Sequence, residues 1–147
     1  MKKLHYKILS SGNIDLALLT GRVGFSGLML THGYPKLMQL ISGEPVSFTS
    51  VLGMSATVSL VLAVFAEFLC SLLIIFGYYT RLAAIPLIIT MSVAAFHIHG
   101  DDPLASKEKS LLFLLFYVML LFTGGGKYAA DYLLLKKKRK KHRRYSG

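Results

Sequence analysis

Tryptophan is absent, cysteine occurs once (Cys70), and charged residues make up only 16% of the 147 positions. One thiol excludes an internal disulfide framework, a CxxC redox motif and a cysteine-based zinc site within the chain. An average soluble domain carries about 25% charged residues. The shortage here, beside 54% hydrophobic residues and a mean hydropathy of +0.55, excludes intrinsic disorder. It also leaves too few polar groups to cover a soluble domain of this length. Acidic residues are scarce as well: seven against 17 Lys and Arg, a formal net charge of +10. The length suits one compact unit rather than two.

The excess positive charge is confined to the ends. Lys2, Lys3 and Lys7 lie at the front, and eight basic residues fill Lys136 to Arg144. Between them six basic residues (Arg22, Lys36, Arg81, Lys107, Lys109, Lys127) face all seven acids, so the body is close to neutral. The tail KKKRKKHRR has no interleaved aromatic platform. It reads as an orientation signal that touches anionic headgroups, and no nucleic-acid partner is expected.

What the body does contain is long apolar runs. A membrane-spanning helix needs about 20 mainly apolar residues to cross about 30 Å of hydrocarbon. Four candidates are found, at about Ile14–Tyr34, Val51–Phe76, Leu82–Ile98 and Ser110–Phe122. Gly43-Glu44-Pro45, Gly77-Tyr78-Tyr79-Thr80 and Gly100-Asp101-Asp102-Pro103 punctuate them. The first carries Arg22 and several glycines, and no A-x-A site follows it, so it reads as a retained span rather than a cleaved signal. The fold class is therefore all-α: an integral membrane four-helix bundle. Residues 1–13 form an N-terminal segment, 14–135 the transmembrane domain and 136–147 the basic tail. Lys and Arg accumulate on the cytoplasmic side of membrane proteins. Both termini are thus expected in the cytoplasm, with residues 35–50 and 100–109 outside.

Ionisable groups inside such a body are costly and tend to pair toward the bundle interior. Counted at the helical rise from their span ends, Arg22 lies about 12 Å and Glu67 about 13.5 Å deep. Matched depth predicts a direct Arg22–Glu67 ion pair. That pair could fix helix packing alone, or make Glu67 a proton acceptor or ligand contact. At the outer ends, His32 and Lys36 are one turn apart, and His97 and His99 close the third span. Together they supply donors for the carbonyl oxygens of a quinone headgroup. Metal or haem ligation is the rival reading. His97 and His99 sit about 200° apart on a regular helix, however, which suits joint ligation poorly, so no metal site is expected of that pair, although one of them could still bind with His32. Simple anchoring of histidines at the headgroups is a further alternative. On the cytoplasmic side, Arg81 and Asp131 are expected to meet. Tyr78 and Tyr79 fit an interfacial aromatic belt. Gly21, Gly24 and Gly27 would allow a neighbouring backbone to approach. The GGGK at Gly124–Lys127 lacks the spacing of a phosphate-binding loop.

Four segments in order, RxGFxxLxxTHGYPKL (Arg22–Leu37), AEFLCSLLIIFGYYTRLAA (Ala66–Ala84), AAFHIHG (Ala94–Gly100) and TGGGKYAAD (Thr123–Asp131), resemble the DoxX family of small four-helix bacterial membrane proteins. The resemblance covers about Leu16 to Asp131 and includes the Arg22, Lys36, Glu67, Arg81, Lys127 and Asp131 positions. It implies a multi-pass protein of the bacterial inner membrane, related to a subunit of a thiosulfate:quinone oxidoreductase. A quinone is the implied ligand, with membrane or redox proteins, or further copies of the chain, as partners. No flavin or haem signature and no catalytic residue is evident. A non-catalytic assembly or scaffold subunit of a larger complex is the alternative. A transporter ranks last, because Arg22 and Glu67 place ionisable groups in the cytoplasmic half only.

Overall fold

The computed structural model describes residues 11–145, and side chains up to Lys137. Lys2, Lys3 and Lys7 and the side chains of most of the basic tail lie outside the described residues. Among the described residues all regular structure is helical. The helices are α1 (Ser11–Ile41), α2 (Ala56–Phe76), α3 (Thr80–Ile98), α4 (Leu104–Thr123) and α5 (Ala130–Tyr145).

The helix limits have local causes. α1 continues through Tyr34-Pro35, two turns past the expected end, although Pro35 removes one N–H from the helix interior. α2 starts at Ala56, not Val51. Leu52 and Gly53 take positive φ (52° and 76°), which closes a turn, and Ser55 then caps the helix by accepting the Val58 N–H. Gly77, at φ 70°, stops α2, and Tyr79, at φ 49°, leads directly into α3. Gly124, at φ 74°, ends α4. α5 runs without a break across the boundary expected between 135 and 136.

α1 packs along α2, α2 packs on α3, α3 lies most extensively against α4, and α4 returns to α1. At that last contact Phe25 stacks on Phe116 with ring centroids 4.1 Å apart. The apolar core runs through Met29, Cys70, Ile74, Leu87, Phe113 and Leu120. Of the three glycines expected to admit a neighbour, only Gly21 does so, against Phe116; Gly24 and Gly27 face open space. Three residues advance a helix by about 300°, so each successive glycine rotates away from the contact. Gly33 is the close-approach position instead. A Cβ there would lie 2.7 Å from the Glu67 backbone.

Burial is inverted relative to a water-soluble protein. Arg22, Ser26, Ser59, Glu67, Ser71 and Thr80 are buried, whereas Phe65, Ile89, Phe96, Leu115 and Phe122 are exposed. Lipid is the solvent in which that distribution is favourable. α1, α2 and α3 are long and apolar enough to cross a membrane. α4 spends its first turn and a half on Ser106-Lys107-Glu108-Lys109, leaving its apolar stretch to Leu111–Phe122.

Candidate functional site

The half of the molecule away from both termini is organised by Glu67. α2 is not regularly α-helical at this point: Phe65–Cys70 forms a π-helical turn. Such a turn adds a residue to the local repeat and is frequent at functional sites. Glu67 projects into the interior and is 2% exposed. Its Oε1 receives the Lys36 ammonium at 2.5 Å, from the last third of α1. Its Oε2 is buried and makes no hydrogen bond. The Lys36 Nζ also lies 5.6 Å from the Phe48 ring centroid, on the α1–α2 connection.

Beside this pair is a cavity of about 150 Å³, walled by α1, α2, α3 and residues 48–54 of the connection. Leu52, Leu62, Ile89 and Val93 make it largely apolar. The connection is held over it by two bonds: Gln39 Nε2 donates to the Ser47 carbonyl at 2.9 Å, and the Val51 N–H donates to Ser59 Oγ at 3.1 Å. The lining hydroxyls are occupied, since Ser59 accepts from Val51 and Thr90 donates to the Pro86 carbonyl at 2.9 Å. Lys36 and Glu67 are therefore the groups through which this cavity can bind a polar atom or exchange a proton.

Three expectations are corrected here. Arg22 does not pair with Glu67. It lies level with Ile74 and Gly77, near the other end of α2, where Nη2 donates to the Tyr128 carbonyl at 2.6 Å and Nη1 to the Ile74 carbonyl at 3.4 Å. The depth count misplaced it because α1 begins well before the helices that surround it, so Ile14 does not mark the level at which α2 ends. The histidines do not converge with Lys36 on one rim. His32 is exposed and meets the edge of Phe113 on α4, His97 is exposed, and His99 pairs with Asp102 at 2.7 Å. None of the three lines the cavity. The end of α3 is itself π-helical (Ala94–Ile98), which alters the direction expected for His97 from a regular helix. Among the described residues, no three His, Cys, Asp or Glu side chains gather around a common point suited to a metal ion.

The third correction concerns Arg81 and Asp131. They are neighbours but not an ion pair. The Asp131 carboxylate accepts the N–H groups of Tyr79 and Thr80 at 2.8 and 2.9 Å, satisfying the first turn of α3. Arg81 turns away and donates to the Phe122 carbonyl at 3.0 Å. Helix N-terminal N–H groups carry partial positive charge and point directly at a carboxylate in this position. Asp15, which the sequence pattern alone did not single out, completes the arrangement. It accepts the Lys127 N–H at 3.0 Å and pairs with the Lys127 ammonium at 3.0 Å. Arg22, Asp15 and Asp131 thus clamp the TGGGKYAAD segment across the cytoplasm-facing end expected from the charge pattern. An open cleft of about 710 Å³ runs between this clamp and α5.

A sequence signal for the missed residues exists. Asp15, Leu18, Arg22, Ser26, Met29, Gly33 and Lys36 recur at steps of three and four, which is one face of a helix. Reading Arg22 and Lys36 as members of one stripe would have placed Ser26 and Asp15 in the interior with them.

The sequence model of the DoxX family matches residues 17–100. The matched part contains Arg22, as well as Lys36, Glu67 and the cavity beside them, and ends before α4. No curated protein and no solved structure matches the chain.

Proposed function

The chain belongs to the DoxX family, and on that footing we propose that it is a membrane subunit of a quinone-linked oxidoreductase system. In this reading α1 to α4 all span the bacterial inner membrane, both termini are cytoplasmic, and a quinone headgroup or similar ligand occupies the Lys36–Glu67 cavity. The observation that carries it is a buried carboxylate with one unpaired oxygen, joined to a lysine, in an otherwise apolar cavity at membrane depth. Charged groups so placed are expensive and mark ligand or proton pathways. The residues suit a quinone: Lys36 can donate to a carbonyl oxygen, Glu67 can hold or release a proton, and Phe48 offers a ring face. His32, His97 and His99 have no part in this binding reading.

The test is quinone extraction from the chain purified in mild detergent, together with a thermal shift on adding a short-chain quinone. Wild type should retain quinone and gain stability, and Lys36→Met and Glu67→Gln should lose both effects, with His32→Ala unaffected. Wild-type protein that neither retains quinone nor responds to it would remove this reading.

A scaffold role is the second reading, and the clamp supports it. Three charged side chains hold one short segment and the start of α5 in place, at some distance from the cavity. Partner proteins retained in mild detergent, with full partner activity in a Glu67→Gln, His32→Ala double variant, would favour assembly over ligand chemistry.

A further inference from the structure

Between the Lys36–Glu67 cavity and the Arg22 clamp, the interior holds a second group of polar atoms that neither feature uses. Ser26 Oγ, Ser71 Oγ and the Tyr117 hydroxyl are buried without a formed hydrogen bond, as is Glu67 Oε2. Ser26, Ser71 and Tyr117 are each 0% exposed. They come from three different helices and meet at one place. The Tyr117 hydroxyl of α4 faces Ser26 of α1, Ser71 of α2 and the carboxylate of Glu67. Ser71 is one turn from Glu67, and Ser26 is one turn from Arg22, whose Nε is also buried and unpaired.

Each unpaired buried group costs about 1–3 kcal/mol. Alanine for the serines and phenylalanine for the tyrosine would fill nearly the same space without that cost. Hydroxyls differ from those residues in one useful way: each donates and accepts at once. A hydroxyl can therefore take a proton on one side while releasing one on the other. Arg22 cannot, since it stays charged, so it ends the series.

We infer that Tyr117, flanked by Ser26 and Ser71, is a proton relay that serves Glu67 from the Arg22 side of the bundle. In one passage the Tyr117 O–H bond breaks as an O–H bond forms on Glu67 Oε2. Tyr117 regains a proton from the Ser71 or Ser26 hydroxyl, which takes one from a hydronium ion of the aqueous phase beside Arg22, leaving a water molecule. One proton enters for each one delivered, and no electron moves. The charged or titratable groups around Glu67 are Lys36 on α1, Cys70 on its own helix and Tyr117 on α4; the α3 side contributes Ile89, Thr90 and Val93. The path makes polar groups continuous from Lys36 to Arg22, so ionisable and hydroxyl groups are not confined to one half of the bundle. It holds whatever ligand the cavity takes.

The experiment needs no quinone, so its failure is separate from failure of the ligand reading. In a Lys36→Met background the other proton donor of the cavity is gone. The carboxylic C=O stretch of Glu67 is then followed, at a pH acid enough for the band to be present, by infrared spectroscopy of the full chain in lipid, assigned by its loss in Glu67→Gln. On transfer to D₂O, adding Tyr117→Phe should slow exchange of this band by about tenfold, the change that about 1.4 kcal/mol added to the barrier produces. Ser26→Ala with Ser71→Ala should slow exchange similarly, and gives the same reading if Tyr117→Phe does not fold. Exchange as fast as in the Lys36→Met background, in whichever of the two folds, would overturn the relay.

Discussion

Replacing Gly77 by alanine should be among the most damaging single changes to the fold, and the structure sets how damaging. Two costs add. Gly77 has φ 70°, the left-handed region, where a Cβ costs about 1–2 kcal/mol. The second cost is spatial. An added Cβ would lie 1.8 Å from Arg22 Nη1 and 2.6 Å from the Ala129 Cα, so both the guanidinium and the 124–131 backbone must move. Displacing Arg22 breaks its bonds to the Tyr128 and Ile74 carbonyls, and a hydrogen bond to a charged group contributes about 1.5–3 kcal/mol. With the shorter of these two bonds lost, the total is about 2.5–5 kcal/mol. Gly53 separates the two costs, because its φ is 76° and nothing lies within 4 Å of its would-be Cβ. Gly53→Ala should therefore show the conformational cost alone, about 1–2 kcal/mol. Unfolding of both variants in the same detergent, followed by circular dichroism against heat or denaturant, gives the comparison. Equal losses would refute the reasoning, since they would mean that Arg22 does not depend on the space Gly77 leaves.

Asp131→Ala should cost about 1–2 kcal/mol through loss of the α3 cap, whereas Arg81→Ala, at an exposed site, should cost under about 1 kcal/mol; denaturant unfolding separates them. Lys36→Met alone should destabilise more than Lys36→Met with Glu67→Met, because the single change leaves a buried carboxylate without its partner. Folded yield and thermal midpoint read this, and equal loss in both would count against the pair. For topology, a cysteine placed at Ser106 should react with an impermeant thiol reagent in intact cells and one at Ser146 should not, with buried Cys70 silent in both. The opposite pattern would invert the orientation.

The helical class and the apolar spans were legible because they rest on period and composition, which lie within single segments. Glu67 and Arg22, unlike Lys36, which read only as a residue of the rim, were legible as interior groups for the same reason: a charge inside an apolar run has few places to go. Their partners were not. Pairing depends on the relative axial offset of two helices, and α1 outruns α2 at the clamp end by a stretch that no residue in either helix announces. Two π-helical turns compounded the problem. Each rotates the residues beyond it relative to a regular helix, so the direction of Glu67 and of His97 could not be read from a 3.6-residue wheel.

The same offset explains why one face of α1 serves two ends of the molecule. A helix of 31 residues is about 46 Å long at 1.5 Å per residue, more than the hydrocarbon layer requires. Its interior stripe begins at Asp15, in the clamp on TGGGKYAAD, and ends at Lys36, on the carboxylate of Glu67. Between these charges the stripe offers Arg22 and Ser26, then the close approach at Gly33, where the Glu67 backbone rests against α1. Anything bulkier than glycine at 33 would push the π-helical turn away and lengthen the Lys36–Glu67 contact. The position that reads as packing is thereby a positioning residue for the cavity. Gly33→Ala should accordingly weaken binding of any ligand held by that pair, and Gly24→Ala, one face away in open space, should not.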